Sequence, residues 1–281
     1  MNAQVAPYPF FGYQKGERLN FAKPRGEGIT IRLSPLERKI LAVVDTCLIT
    51  TVNLLARLLD QLGWHENITG IRASLEKLFQ NKYLVKMEFA NSQRSSALKI
   101  FALGKKGKEY IKALGKTPNA AKWISAPNAE KVKAHLSALQ YLIREGNFAQ
   151  AREVMFFAAV TELVKPGYHA ECSFRAHALM QTREGYTQIV AVVREAPYAV
   201  EALLETLSGI AQAASGACQL NIPICDPRVV VLCETHAHQK QVEAALEQNV
   251  RSFDFPLCLT NDEVVGMYAF GNTGKENACE G

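Results

Sequence analysis

Residues 67–80 read Asn67-Ile68-Thr69-Gly70-Ile71-Arg72-Ala73-Ser74-Leu75-Glu76-Lys77-Leu78-Phe79-Gln80. Ile68, Ile71, Leu75 and Leu78 recur three to four residues apart, the spacing that stacks apolar side chains on one face of an α-helix. Asn67 stands just before them as an N-cap, because its short side chain can accept a backbone N–H of the first turn. The stretch predicts a helix over 68–80 with a narrow apolar stripe. Its opposite side presents Thr69, Gly70, Arg72, Ala73, Glu76 and Lys77, a small and polar face.

The flanks give this helix its setting. Upstream, Ser34-Pro35-Leu36-Glu37 combines an N-cap serine, a proline suited to the first helical turn and an acid where the helix dipole favours an anion. Leu36, Ile40, Leu41, Val44 and Leu48 continue at helical spacing. Thr50 or Thr51 caps a second helix with Leu54, Leu55 and Leu58 inward, and Gly63-Trp64-His65-Glu66-Asn67 breaks it. Downstream, residues 83–89 alternate as a strand, 90–96 are polar and turn-forming, and 98–103 form a second strand, which together read as a hairpin. Residues 104–114 read as a strongly basic fourth helix. Helix, helix, turn, helix, strand, polar loop, strand and helix is the order of a winged helix-turn-helix module. In such a module the third helix enters the major groove of double-stranded DNA and the hairpin loop lies alongside as a wing. The candidate DNA-binding residues are Thr51, Asn67, Thr69, Gly70, Arg72, Ala73 and Lys77, with Gln93, Arg94 and Lys99 on the wing.

Charge is divided unevenly along the chain. Residues 1–124 carry 20 Lys/Arg against 9 Asp/Glu, a net +11, whereas 125–281 carry 12 against 18, a net −6. Cations concentrated in one half suit a polyanion, since each phosphate contact releases counterions. The expected organisation is an α+β winged-helix domain over 31–116 followed by an α/β domain. A mobile N-terminal arm covers 1–30, a linker 117–127, the α/β domain 128–270 and a disordered tail 271–281. The arm is inferred from its breakers Pro7, Pro9, Gly12, Gly16, Pro24, Gly26 and Gly28.

Residues 33–114 resemble the winged-helix domains of the MarR-like group, through the closing Ile100-Phe101-Ala102-Leu103-Gly104-Lys105-Lys106-Gly107, in which Gly104 stands where threonine is usual. Over its whole length the chain resembles the replication-relaxation family of plasmid and mobile-element proteins. That resemblance implies a helix carrying a histidine, here His135, and then a domain similar to a degenerate restriction-endonuclease-like fold.

In the second half, residues 129–145, 149–164, 200–218 and 237–248 read as helices. Residues 172–180, 187–193, 229–233 and 255–259 read as strands, an alternation that implies an α/β sheet. A nuclease of the implied fold needs an acid on one strand and an acid-x-lysine on the next to hold Mg²⁺ and activate water. Those positions hold His177, Ala191 and Val193, so a catalytically dead scaffold is expected, with Glu171 and Glu195 the acids that could restore a site. Cys225, Cys233, His236 and His238 could be spaced for zinc, but Cys233 lies within an apolar strand and the spacing matches no zinc finger. Phosphate-binding glycine loops, G-x-S-x-G and H-E-x-x-H are absent, and no cofactor or metal is expected.

Seven scattered cysteines, no C-x-x-C, no signal peptide and no apolar run of bilayer length read as a cytoplasmic protein with free thiols and no membrane contact. Three functions follow from these observations. The favoured one is a double-stranded DNA-binding regulator of plasmid or mobile-element replication, transfer or transcription. Its rivals are a DNA-processing nuclease and an accessory factor that recruits a relaxase or replication protein. A homodimer is expected, and the face of the small-residue helix 199–218 that carries Ala202, Ile210, Ala213 and Ala214 is suited either to packing against a twin or to covering its own sheet.

Overall fold

Ser34 starts the first helix by reciprocal capping. Glu37 N donates to Ser34 Oγ at 3.2 Å and Ser34 N donates to Glu37 Oε2 at 2.8 Å, so two orphan donors of the helix end are satisfied. The computed structural model describes residues 18–26, 30–90, 98–119, 129–144, 147–156, 174–194, 198–216, 223–249, 253–262 and 264–265. They form an α+β protein with two sheets, divided into a unit that ends at Leu136 and a unit that begins at Ser137.

The first unit contains α1 (Pro35–Cys47), α2 (Val52–Gln61), α3 (Ile68–Gln80) and α4 (Lys105–Ala113). Thr51 Oγ1 accepts from Leu54 N at 3.3 Å to cap α2, and Asn67 Oδ1 accepts from Gly70 N at 2.6 Å to cap α3. Ile40, Leu41, Leu55, Leu58, Ile71, Leu75 and Leu78 are wholly buried, so the stripes that specify the three helices also build their common core. The strands are β1 (Arg18–Phe21), β2 (Ile49–Thr51), β3 (Leu84–Ala90) and β4 (Lys99–Leu103), in the order β1-β3-β4-β2. All neighbours are antiparallel, with Arg18 opposite Ala90, Lys86 opposite Phe101 and Thr51 opposite Ile100. Gly104 and Gly107 bring α4 against the start of β3. A Cβ on Gly104 would stand 2.7 Å from Lys82 O, and one on Gly107 would collide with Tyr83 O. A threonine would have no room at position 104.

Two expectations change here. Residues 18–21 belong to the sheet rather than to an arm, since β1 pairs along the outer edge of β3. The division between the units falls within α5 (Ala129–Arg144), not in a linker before it.

The second unit is built on β5 (Ala151–Phe156), β6 (Ala178–Thr182), β7 (Thr187–Val192), β8 (Pro227–Cys233) and β9 (Leu257–Asn261), in that order across the sheet. β5, β6 and β7 form an antiparallel meander, and β7, β8 and β9 are parallel. Parallel neighbours need crossovers, supplied by α6 (Ala199–Ala214) and α7 (His236–Asn249). All six residues of β7 are buried, as befits a central strand covered on both faces. Leu203, Leu207, Ile210, Val242 and Leu246 of the two helices pack with Ile189, Val229 and Val231.

Residues 151–156 lie in a strand although their composition favours a helix, because pairing with β6 overrides a weak local preference. Residues 178–182 are paired as β6, a strand placed later than expected. The proposed contact face of α6 is also corrected. Ile210 and Ala213 are buried in the unit's own core, and of the expected face only Ala202 is exposed. Cys47, Cys225 and Cys233 are free thiols, whereas Cys258 is disulfide-bonded. No helix among the described residues is long and apolar enough to cross a membrane.

Candidate nucleic-acid interface

Helix α3 turns Thr69, Arg72, Ala73 and Lys77 outward, all exposed, while Gly70 is half-buried. Spacings of three and four residues place Thr69, Ala73, Glu76 and Gln80 in one stripe, flanked by Arg72 and Lys77. Arg72 makes no ion pair with a described residue, so its planar donors are available to a partner. A guanidinium in that position can donate in bidentate fashion to a guanine edge.

Other expected contacts are already committed. Lys77 Nζ pairs with Glu37 Oε1 at 2.7 Å, and the Glu37 side chain is only 4% exposed. Burial pushes the Glu37 carboxyl up, but hydrogen bonds from Lys77 and Ser34 outweigh it and hold the group below its ordinary value. Thr51 is buried and its hydroxyl is spent on capping α2, which removes its side chain from any contact surface. Asn67 is exposed, but its side-chain oxygen caps α3 through Gly70 N. Lys99 is exposed at the start of β4, opposite Glu88. Gln93 and Arg94 lie outside the described residues.

The far end of the α3 stripe carries a network that sequence patterning gave no reason to expect. Gln80 Nε2 donates to Glu76 Oε1 at 2.7 Å, and Lys86 Nζ donates to Glu76 Oε2 at 3.2 Å. Burial raises Glu76, yet Gln80 and Lys86 together hold its carboxyl below the usual range. Gln80 Oε1 accepts from Arg25 N at 2.8 Å and from Gly26 N at 3.2 Å. Gly26 approaches so closely that a Cβ there would stand 2.8 Å from Gln80 O. The segment after β1 is thus pinned to the last turn of α3.

His177, Ala191 and Val193, the three positions weighed in the sequence as possible metal ligands, lie in the second unit. Ala191 and Val193 are core residues. His177 Nδ1 accepts from Val192 N at 3.0 Å, and burial, followed by the charges of Arg194 and Arg175, pushes the imidazole down to about 4. Nearby, Arg194 Nη1 donates to Asp262 Oδ2 at 2.7 Å, Arg194 Nη2 donates to Ser137 Oγ at 2.7 Å, and Ser137 Oγ donates to Asp262 Oδ2 at 3.0 Å. Burial raises Asp262 against the pull of Arg194. Burial likewise pushes the Cys233 thiol up to about 12, with Asp262 adding to the effect. His238 is buried and its Nδ1 accepts from Glu234 N at 3.3 Å, whereas His236 and Cys225 are exposed. No group of three or more His, Cys, Asp or Glu among the described residues could hold a metal ion. Glu171 and Glu195 lie outside those residues.

His135, singled out by the family resemblance, is buried in the first unit with Nε2 at 2.7 Å from Cys47 O. That nitrogen must carry the proton, since a carbonyl can only accept. Its role in this geometry is to hold α5 to the end of α1.

No family model, no curated protein and no solved structure matches this chain.

Proposed function

We propose that the first unit is a winged helix-turn-helix that binds double-stranded DNA, with α3 in the major groove and the β3–β4 hairpin as the wing. The observation that carries this reading is the outward face of α3. Thr69, Arg72 and Ala73 stand exposed on a helix whose opposite side is locked in the core, and the helix leads through a short turn into an antiparallel hairpin. The net +11 of residues 1–124 supports a phosphate-bearing partner. The second unit, on this reading, is a degenerate restriction-endonuclease-like scaffold without catalysis. The protein acts as a homodimeric regulator of plasmid or mobile-element replication, transfer or transcription, the plasmid or mobile-element setting following the family resemblance. Two linked modules would read two half-sites, which a single winged helix cannot.

Equilibrium binding of the full chain to duplex DNA at several salt concentrations tests the proposal. The expected result is affinity that falls steeply as salt rises, by about 0.9 in log–log slope for each phosphate contacted. No binding, or binding indifferent to salt, overturns it. Mg²⁺- or Mn²⁺-dependent cleavage of the same duplex would favour the nuclease reading instead.

A further inference from the structure

The turn that follows β1 lies against the end of the helix face assigned to DNA. Gln80 belongs to the same stripe as Thr69 and Ala73, and it accepts the backbone N–H groups of Arg25 and Gly26. The turn is held at both ends. Ala22 N donates to Lys86 O at 2.9 Å, extending the β1–β3 ladder, and Gly26 sits where no larger residue fits against Gln80 O. Between these anchors Lys23 and Arg25 are exposed, and neither makes an ion pair with a described residue.

We infer that the segment Lys23 to Gly26 is a second, phosphate-contacting element of the DNA interface, one that also limits how much of α3 can read bases. The inference rests on the DNA-binding reading of α3. The turn covers the Gln80 end of the stripe, and Glu76 beside it is tied to Lys86 and Gln80. A carboxylate there repels the backbone and offers only an acceptor to bases. Base reading is thereby confined to the first two turns of α3, around Thr69, Arg72 and Ala73. Lys23 and Arg25 meet the phosphates that flank the groove beyond Gln80. Two added cations on a backbone fixed by hydrogen bonds strengthen binding without favouring a sequence, because phosphates carry no base identity.

The test compares the full chain with Lys23→Ala/Arg25→Ala and with Lys240→Ala, an exposed cation of α7 in the second unit. Each is titrated with one duplex that the parent binds and with a scrambled duplex, across a range of salt. The double variant keeps the backbone donors to Gln80, so the turn stays docked. The expected result is weaker binding to both duplexes by the same factor, with the log–log salt slope reduced by about 1 to 2. Lys240→Ala should match the parent. The inference is overturned if the double variant keeps the parent's slope and affinity, if it alters the ratio between the duplexes, or if Lys240→Ala produces an equal loss. A parent that binds neither duplex overturns the DNA-binding reading itself, and this inference with it.

Discussion

Lys77 Nζ lies 2.7 Å from Glu37 Oε1, so a cation on the outward side of α3 is held by the carboxylate that caps α1. The pair joins the first turn of one helix to the last turn of another. Removing Lys77 leaves a buried carboxylate with fewer partners. Lys77 itself is 48% exposed, which screens the loss, and Lys77→Ala should destabilise the first unit by about 1 kcal/mol. Chemical denaturation would measure it.

The same carboxylate makes the first unit sensitive to acid. The folded value of Glu37 lies below the ordinary 4.5, so its stabilising contribution is complete above 4.5 and is lost as pH falls through the folded value. The stability difference between the parent and Glu37→Gln should therefore shrink as pH drops below about 4.5. A difference that stays constant down to pH 3 would show that the pair has no electrostatic share in stability.

Thr51→Ala should lower stability by about 1 kcal/mol, the usual effect of losing a cap, and leave DNA affinity unchanged at temperatures where the protein is folded. A selective loss of DNA binding in a fully folded variant would return Thr51 to the interface.

Arg72→Ala and Lys99→Ala should differ in kind. Arg72 faces the groove on the proposed reading, and its removal should cut discrimination between the preferred and scrambled duplexes by about 1–3 kcal/mol. Lys99 stands on the wing strand and should weaken both duplexes alike. Competition binding reads both. An unchanged preference in Arg72→Ala would move base reading elsewhere on α3.

His177 is neutral in the folded protein to about pH 4, whereas the unfolded chain takes up its proton near 6.5. Between those values only the unfolded state binds the proton, so stability falls as pH falls, by roughly 3 kcal/mol across the window. His177→Asn keeps an acceptor for Val192 N and removes the titration. Its stability should vary less with pH between 6.5 and 4 than the parent's, as followed by urea midpoints.

Local signals carried most of the first unit. Ser34, Thr51 and Asn67 each accept a backbone N–H from a residue three positions on, a relation visible in a short window of sequence. Pairings between distant elements were not visible. The engagement of Lys77 by Glu37 depends on how α1 and α3 cross, and an exposed lysine reads identically whether or not it is paired. Pro24 and Gly26 read as breakers of structure, yet Gly26 is small because it abuts Gln80 O. Phe21 is 48% exposed, so β1 lacks the clean alternation of a half-buried strand. In the second unit Ala151, Arg152, Glu153 and Met155 suit a helix, and only β6 beside them makes a strand. Arg194 and Asp262, 68 positions apart, meet only once the parallel sheet has formed.

The pairing of β1 with β3 also governs how the protein can be cut. Backbone groups of β3 from Met87 to Ala90 are covered by Arg18–Phe21, and Met87 and Phe89 beside them are buried. A fragment beginning at residue 30 would bare that strand, and a bare apolar edge is a template on which another chain can add a strand. Such a fragment should form soluble aggregates or precipitate at concentrations where the full chain does not, and its failure in a DNA-binding assay would combine that stickiness with the loss of Lys23 and Arg25. Any excised version of the first unit has to begin before Arg18.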